Sequence, residues 1–182
     1  MLQHPDKIDP RGIYIGLGAN LQHPRFGGPA HTLLAALDLL ERGAEIRVIN
    51  LSGWFQSSPV PRSRQQWYVN AMAELDSKLP PRSLLERLHS VEAQLGRVRN
   101  QPNQARTVDL DLIDYAGRVV NDPGENGLKL PHPRCAIRRF VLYPLRDIAP
   151  RWRHPESGEK LDALVAQLSP EQYVRRLTTA TH

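Results

Sequence analysis

The sequence predicts an α+β fold of the ferredoxin-like kind, in which helices pack on one face of an antiparallel-rich sheet. Two kinds of pattern support this prediction. Short apolar or alternating segments predict strands, and leucines at helical spacing predict helices. In chain order these segments read strand, helix, strand, strand, helix, strand, which is the order found in a ferredoxin-like sandwich.

The first half of the chain supplies three predicted strands and one helix. Residues 13–18 are apolar and end in glycine, and residues 67–75, WYVNAMAEL, alternate as a half-buried strand does. Leu33, Leu37 and Leu40 recur at helical spacing. The elements predicted here are a strand over 13–18, a helix over 32–42, a strand over 45–55 and a strand over 67–75.

The second half supplies one more helix and strand, followed by shorter elements. Leu84, Leu88, Val91 and Leu95 are spaced as on one face of a helix, and Gly96 closes it. The elements predicted here are a helix over 83–95, a strand over 106–114, a hairpin over 118–130, a short helix that stops at Pro150 and an amphipathic stretch over 161–168.

Length and composition indicate one domain. The chain has 182 residues, of which 40% are hydrophobic, so it can bury one proper core, whereas two full domains would be cramped. We expect a loose leader over 1–12, the core over 13–150 and a C-terminal extension over 151–182 that packs on the same domain. We also expect a monomer.

Charge and cysteine content narrow the class of protein. The net charge is +5, and only four of the 24 basic residues are lysines. Arginine suits bidentate recognition of phosphate and carboxylate, so a polyanionic partner is expected, either a nucleotide or a nucleic acid. Cys135 is the only cysteine, which excludes an intrachain disulfide and a cysteine-based zinc site. The lack of a signal-peptide core and of a membrane-length apolar run predicts a cytoplasmic protein with no membrane partner.

The stretch RTVDLDLID, residues 106–114, carries two aspartates on a predicted strand. Asp109 and Asp111 leave the same face because side chains alternate along a strand, and two strand rises place them about 7 Å apart. Oxygen ligands on a rigid element suit Mg²⁺, which also keeps waters and takes the phosphates of a substrate. A solvated acidic face on an edge strand is the alternative that these residues alone leave open.

Arginines precede the acidic strand. Arg97, Arg99 and Arg106 lie in a segment, residues 96–106, that leads directly into it. This segment and residues 56–66 lack periodicity and exceed the usual length of a connection, which predicts two long, mobile active-site loops. Three guanidinium groups beside two carboxylates can bind phosphates, and a self-neutralising solvated surface explains them equally well.

Tyr68 and Asn70 share one face of their predicted strand. Together they present a flat aromatic surface beside an amide that both donates and accepts, which suits a planar heterocycle. A packing tyrosine with a satisfied polar neighbour is the alternative. His132 stands between two prolines, in a rigid extended segment that can aim its ring.

Two common nucleotide-binding motifs are excluded. In GLGANL, residues 16–21, Leu21 stands where the third glycine of GxGxxG belongs, so we assign Gly18 and Asn20 to a tight turn at the strand end. The sequence also contains no GxxxxGK[ST], and it is therefore not a P-loop protein.

Six segments together resemble the 6-hydroxymethyl-7,8-dihydropterin pyrophosphokinase family. They are YIGLGANL at 14–21, SSPVP at 57–61, WYVNA at 67–71, LGRVR at 95–99, ARTVDLDL at 105–112 and LPHPRCAIRRFVLYPL at 130–145. The combination of RTxDLDL with the downstream PHP and RxFVLxPL is specific, and the resemblance covers residues 13–150 in the right order. It implies an enzyme of folate biosynthesis that transfers pyrophosphate from ATP to the hydroxymethyl group of a reduced pterin and releases AMP.

The resemblance also implies roles for individual residues. The metal ligands would be Asp109 and Asp111, holding two Mg²⁺ ions on the triphosphate of ATP, and the catalytic residues would be Arg97 and Arg106. The pterin-binding residues would be Ser57, Ser58, Val60, Tyr68, Asn70 and Phe140. The ATP-binding residues would be Glu92, Arg97, Arg99, Arg106, Leu112, His132 and Arg138, with Leu112 acting through its backbone and Glu92 orienting the arginines or the nucleotide.

Three features depart from the family pattern, one of which is His89, a helical turn before Glu92, where some members have glutamine. Residues 103–105 read Asn-Gln-Ala where members often carry an aromatic residue and a Gly-Pro pair, so loop closure over the substrates is expected to differ. Asp114 falls, by alternation, on the otherwise apolar face of its strand.

Two other classes of function stay open from the residues alone. A ferredoxin-like sheet with exposed aromatics and basic loops is also typical of RNA-binding modules. Because paired aspartates repel a phosphate backbone, we expect no nucleic-acid partner. A metal-dependent nucleotidyltransferase would use the same carboxylates on another acceptor and would release pyrophosphate in place of AMP.

Overall fold

The computed structural model describes residues 12–61, 63–97, 105–124 and 127–178, so the predicted leader lies outside these ranges apart from residue 12. The strands are β1 (Ile13–Ala19), β2 (Ile46–Leu51), β3 (Phe55–Ser57), β4 (Tyr68–Ser77), β5 (Asp109–Tyr115), β6 (Val120–Asn121), β7 (Lys129–Leu130) and β8 (Val174–Arg176). The α-helices are α1 (Pro29–Glu41), α2 (Pro81–Gln94), α3 (Arg139–Ile148) and α4 (Leu161–Gln167), and a 3₁₀ turn over Cys135–Ile137 precedes α3. Among these described helices, none is both long enough and apolar enough to span a membrane.

Strand β4 lies at the centre of a six-stranded antiparallel sheet. Along one edge of β4 lies β1, and β5 pairs with β1. Along the other edge, β3 pairs with the beginning of β4 and β2 with its end, and β8 pairs with β3. The order of these strands with α1 and α2 confirms the predicted ferredoxin-like fold. The predicted hairpin is present as the separate pair of β6 and β7.

The strand predicted over 45–55 is wrong in one respect, because it is divided into β2 and β3. Ser52 lies at the break. Its hydroxyl accepts a hydrogen bond from the backbone N–H of Met72 at 2.9 Å, and its own N–H donates to the Met72 carbonyl at 2.9 Å. A side-chain oxygen thus replaces a backbone carbonyl in the ladder, and the chain resumes pairing at β3. This places Ser57 directly opposite Tyr68.

Helices α1 and α2 cover the first face of the sheet. Ile13, Ile15 and Leu17 alternate along β1 toward this face and are buried there. The helical leucines that pack in the same core are Leu33, Leu37, Leu40, Leu84 and Leu88. Full burial of one such side chain stabilises the folded state by roughly 1.5–3 kcal/mol. The strand and helix periodicities seen in the sequence thus identify the residues that form the main core.

Helices α3 and α4 cover part of the second face. Tyr14, Met72 and Ile113 point to this side of the sheet and are buried in a second cluster. Their helical and C-terminal partners include Leu142, Leu145, Trp152 and Leu164. Helices therefore lie on both faces, whereas the sequence pattern predicted them on one. Toward Gly18, Asn70 and Asp109 the same face opens into a cavity.

A β-bulge in β5 moves Asp114 to the second face. The pairing of β1 with β5 shifts between Tyr14 and Ile15: Tyr14 lies opposite Asp114, and Ile15 opposite Leu112. Ile113 is thus the extra residue, and the alternation on which the prediction for Asp114 relied is interrupted there. The expectation that Asp114 lies on the first, apolar face is wrong for this reason.

The Asp114 carboxylate ties the C-terminal extension to the sheet. It is 2% exposed and accepts hydrogen bonds from the indole N–H of Trp152 at 2.7 Å and from the backbone N–H of Gly117 at 2.9 Å. Burial raises the pKa of Asp114, and these two hydrogen bonds oppose the shift. The carboxylate is therefore a buried polar group whose removal leaves two N–H donors without their acceptor.

The C-terminal extension also contributes strand β8 to the edge of the sheet. Its three residues, Val174–Arg176, are too few and too polar to show periodicity, and the sequence did not predict this strand. Helix α4 packs against α3 on the second face. From these contacts we propose that residues 151–178 belong to the same domain as the core.

Replacing Asp114 with alanine should lower the free energy of unfolding by about 1–3 kcal/mol, because two buried donors lose their acceptor. Urea unfolding at pH 7 measures this difference. The matched control is Asp162→Ala, which removes an exposed carboxylate 3.9 Å from Arg146 and should change stability by less than about 1 kcal/mol. Equal stabilities for the two variants would contradict the structural role of Asp114.

Candidate active site

The open half of the second face forms a cavity of about 640 Å³. Five parts of the chain line it: strand β1, the acidic strand β5 with the arginines that precede it, the beginning of β4, the end of β3 with the segment after it, and the segment that leads into α3 with the start of that helix. A volume of this size is ordinary for a site that binds small molecules.

Glycines form the floor of the cavity. Gly16 and Gly18 stand two residues apart in β1, so both present their missing side chains to the second face. A Cβ atom on Gly18 would lie 3.6 Å from Asn70 Oδ1 and 3.8 Å from the Cβ of Asp109. Because β1 has no side chains at these two positions, the side chains of β4 and β5 on either side of it face a common space.

Asp109 and Asp111 both line this space, as their spacing predicted. Burial raises the pKa of Asp111, and the nearby Asp109 adds to the shift, while His132, Arg138 and Arg97 oppose it. Two neighbouring carboxylates in a partly enclosed site favour the binding of a cation.

Both carboxylate oxygens of Asp109 are paired with arginines. Arg97 donates to Oδ1, and Arg106 donates to Oδ2. The same Arg97 nitrogen also contacts Glu92, a carboxylate that is only 1% exposed. Of the mixed-sign cluster read from the sequence, Arg97, Arg106 and Asp109 therefore form a network at the cavity wall, and their side chains are no more than 20% exposed.

Glu92 lies behind this network. It is buried, contacts Arg97, and accepts a hydrogen bond from the backbone N–H of Leu110 at 2.7 Å. These contacts agree with the expectation that Glu92 orients the arginines. The Glu92 side chain does not line the cavity, and its expected role toward the nucleotide stays a prediction.

Asn20 joins two sides of the cavity. Its Oδ1 accepts a hydrogen bond from the backbone N–H of Arg106 at 2.8 Å, and its backbone N–H donates to the Arg106 carbonyl at 3.0 Å. Its Nδ2 donates to the Gln66 carbonyl at 3.0 Å. Asn20 is 1% exposed and therefore fixes both the arginine segment and the segment before β4 at the end of β1.

Tyr68, Asn70 and Phe140 also line this cavity, and we call them its aromatic end. Asn70 is buried and donates from Nδ2 to the Ser57 hydroxyl at 2.9 Å. The guanidinium of Arg138 lies 5.3 Å from the centre of the Phe140 ring. Burial raises the pKa of Tyr68, and the charge of Arg106 opposes this shift, so the aromatic end and the charged end are adjacent.

His132 is held beside the acidic end. Its backbone N–H donates to the Ile113 carbonyl at 2.8 Å, and its Nδ1 accepts from the backbone N–H of Arg134 at 3.1 Å. Burial lowers the pKa of His132, while Asp111 opposes the shift and Arg138 adds to it. His132 is thus half-buried beside Asp111 and does not line the cavity.

Most of the predicted site residues line the same cavity. Those that line the cavity are Ser57, Ser58, Val60, Tyr68, Asn70, Arg97, Arg106, Asp109, Asp111, Arg138 and Phe140. Glu92, Leu112 and His132 do not line it, and the Leu112 side chain is buried in the core of the first face, which leaves only its backbone for the expected role. Arg99 and the departure at 103–104 lie outside the described residues.

Sequence reasoning missed several residues of the site. Arg134 and Gln65 line the cavity, and Asn20 braces it. One sequence signal was available, namely glycine at two alternate positions of β1. A strand with two glycines on one face leaves room there for a ligand or for neighbouring side chains. Asn20 gave no signal, since its partners lie 46 and 86 residues away in sequence.

A family model described as "7,8-dihydro-6-hydroxymethylpterin-pyrophosphokinase (HPPK)" matches residues 14–150. Two relatives, both named 2-amino-4-hydroxy-6-hydroxymethyldihydropteridine pyrophosphokinase, are similar over nearly their whole length. The protein from Pseudomonas aeruginosa is 38% identical over 92% of this chain and 98% of the relative. The protein from Methylorubrum extorquens is 37% identical over 86% of this chain and 93% of the relative.

The fold is similar to a solved structure, the wild-type HPPK-DHPS protein of Plasmodium falciparum. The TM-score is 0.61 at 12% identity, and the alignment covers 86% of this chain. This chain spans 43% of that longer protein. At such low identity the likeness shows a shared fold.

Replacing Asn20 with alanine should speed hydrogen exchange of the Arg106 amide at least tenfold, because that N–H loses its side-chain acceptor. Exchange followed by mass spectrometry on peptides that contain residue 106 measures the effect. The matched control is Asn121→Ala, on an exposed strand position away from the cavity, which should leave the exchange unchanged. Unchanged exchange in the Asn20 variant would show that the brace is not formed in solution.

Proposed function

The chain belongs to the 7,8-dihydro-6-hydroxymethylpterin-pyrophosphokinase family, and we propose that its cavity transfers pyrophosphate from ATP to 6-hydroxymethyl-7,8-dihydropterin, releasing AMP. The observation that supports this reaction is that one cavity contains both a paired-carboxylate end and an aromatic end. A polyphosphate with its cations suits the first, and a flat heterocycle suits the second. A group can be transferred between two substrates only when both are bound close together, as one cavity allows.

The aromatic end is proposed to bind the pterin. Tyr68 and Phe140 offer ring faces at the cavity wall, and Asn70 offers an amide whose Nδ2 is fixed by Ser57. A pterin ring can stack on aromatic side chains and use its polar edge for hydrogen bonds. The backbone of Ser58 and Val60 lies along the same wall and can complete that edge.

The acidic end is proposed to hold two Mg²⁺ ions through Asp109 and Asp111. The donor set fits this metal, because Asp109 and Asp111 offer carboxylate oxygens and both line the cavity. Two carboxylates, completed by substrate phosphates and water, match the way Mg²⁺ binds in phosphoryl-transfer enzymes. When bound, the ions would neutralise the triphosphate and activate it toward attack.

The arginines are proposed to bind and stabilise the phosphates. Arg97 and Arg106 pair with Asp109 in this structure, and they can turn to phosphate oxygens when that carboxylate binds metal. Arg138 lies between the aromatic ring of Phe140 and the charge of Asp111, so it can hold the transferred group near the pterin hydroxymethyl. The residues' work is to position the two substrates and to offset the negative charge that develops in transfer.

Measuring products separates this function from its alternatives. With ATP, Mg²⁺ and 6-hydroxymethyl-7,8-dihydropterin, the protein should release AMP, and only when the pterin is present. Release of pyrophosphate would instead indicate a nucleotidyltransferase. Salt-sensitive RNA binding without ATP turnover would indicate an RNA-binding module.

Asp111→Asn should abolish AMP release, with a loss of at least about 10²-fold, because an amide is a poor ligand for Mg²⁺. The same variant should be at least as stable as the wild type at pH 7. Burial raises the pKa of Asp111, so the folded state disfavours its charged form, and removing the charge removes that cost. Initial rates and urea unfolding measure the two effects.

Asp162→Asn serves as the control for Asp111→Asn, since it neutralises an exposed carboxylate outside the cavity and should retain full activity. Near-wild-type turnover in Asp111→Asn would refute the metal assignment. Lost activity that accompanies unfolding would show instead that the charge is structural.

Tyr68→Ala should raise the pterin KM by about 10- to 100-fold while changing the ATP KM little, because it removes a stacking face. Tyr68→Phe keeps that face and should stay close to the wild type, which makes it the matched variant. Steady-state kinetics with each substrate varied in turn distinguish the two. A loss in Tyr68→Phe equal to that in Tyr68→Ala would assign the effect to the hydroxyl and not to the ring.

A further inference from the structure

Gln172, in the C-terminal extension, binds the segment that carries the aromatic end of the cavity. Its Oε1 accepts a hydrogen bond from the backbone N–H of Arg139 at 2.8 Å, and its Nε2 donates to the Ile137 carbonyl at 2.8 Å. These two backbone groups flank Arg138, and Phe140 follows directly. One amide thus fixes the backbone on both sides of a residue that lines the cavity.

This contact also completes the start of α3. The first N–H groups of a helix have no partner within the helix, and Arg138 at the N-cap position makes no side-chain capping hydrogen bond. Gln172 supplies the missing acceptor from a distant part of the chain. The direction of the first turn of α3, and with it the place of the Phe140 ring, therefore depends on Gln172.

The next residue, Tyr173, binds the opposite wall. Its carbonyl accepts a hydrogen bond from the backbone N–H of Ser58 at 3.2 Å, and Val174 pairs with Ser57 in the β3–β8 ladder. The Tyr173 ring lies 4.9 Å from the ring of Trp67, which precedes Tyr68. Two consecutive residues thus contact both walls between which the pterin is proposed to bind.

The far end of this segment is anchored independently. Arg176 pairs with Asp147 near the end of α3 at 3.0 Å, and its guanidinium lies 5.6 Å from the centre of the Phe55 ring. A Cβ atom on Gly53 would lie 2.5 Å from that guanidinium, so the absence of a side chain at this position lets the arginine approach closely. Since α3 and β3 are joined at both ends, the segment over residues 172–176 can act as a spacer of fixed length.

We propose that Gln172 and Tyr173 are positioning residues that set the separation of the Phe140 wall from the Ser57–Tyr68 wall, and thereby the affinity for the pterin. Neither residue lines the cavity, so the effect acts through the residues they hold. The proposal rests on the proposed function, because the planar ligand is the one assigned to this slot. Of the arginines proposed to bind phosphates, Arg97 contacts Glu92 and the Arg106 backbone is held by Asn20, whereas Arg138 lies in the segment that Gln172 holds.

The test is Gln172→Ala, with both KM values measured by AMP release and pterin binding measured by fluorescence in the presence of a non-hydrolysable ATP analogue. We expect the pterin KM and Kd to rise about tenfold, because two hydrogen bonds that fix the wall are lost. The ATP KM should rise less than the pterin KM, because Arg97 and Arg106 keep their own supports. Gln172→Glu keeps the acceptor for Arg139 and loses the donor to Ile137, so it should show a smaller rise.

Glu171→Ala, at the exposed neighbouring position, is the matched control and should leave all three constants unchanged. Wild-type pterin affinity in both Gln172 variants overturns the positioning role while leaving the proposed function standing. Equal changes in both KM values, with a matching fall in stability, also overturn it, since they indicate a general structural role. A wild-type protein that neither binds the pterin nor releases AMP defeats the proposed function, and the positioning role with it.

Discussion

The close approach of two carboxylates on one face of β5 is the constraint on which the site depends. Burial raises the pKa of Asp111, and the charge of Asp109 adds to the shift. The chain places Arg97 and Arg106 on Asp109, and His132 and Arg138 near Asp111. The arginines around the acidic pair therefore offset its negative charge in this structure, and they are the groups proposed to bind phosphates.

The cavity exists because the second face of the sheet is only partly covered. The buried side chains of Tyr14 and Met72 pack in the cluster that includes α3, whereas Gly16 and Gly18 leave the next positions on this face of β1 without side chains. The same strand thus builds a core at one end and a floor at the other. Buried connections behind the wall, such as Glu92 on Arg97, keep the functional groups in place before any ligand arrives.

Local periodicity was sufficient to predict most of the fold and one face of the site. Alternation placed Asp109 beside Asp111 and Tyr68 beside Asn70, and helical spacing located the leucines of α1 and α2. The bulge at Ile113 could not be read, because one extra residue in a strand leaves no mark on composition. The contact of Gln172 with Arg139 joins two distant segments through a single side-chain amide. Such contacts produce no periodic pattern in the sequence, so they could not be predicted from it.

The most direct test of the acidic pair's role is a crystal structure of the protein with a non-hydrolysable ATP analogue, the pterin alcohol and Mn²⁺ in place of Mg²⁺. We expect anomalous density for two ions in contact with the carboxylate oxygens of Asp109 and Asp111, bridging to the phosphates, with the pterin ring against Tyr68 and Phe140. A nucleotide bound elsewhere, or bound while Asp109 keeps both of its arginine partners and no ion lies beside Asp111, would contradict the assignment.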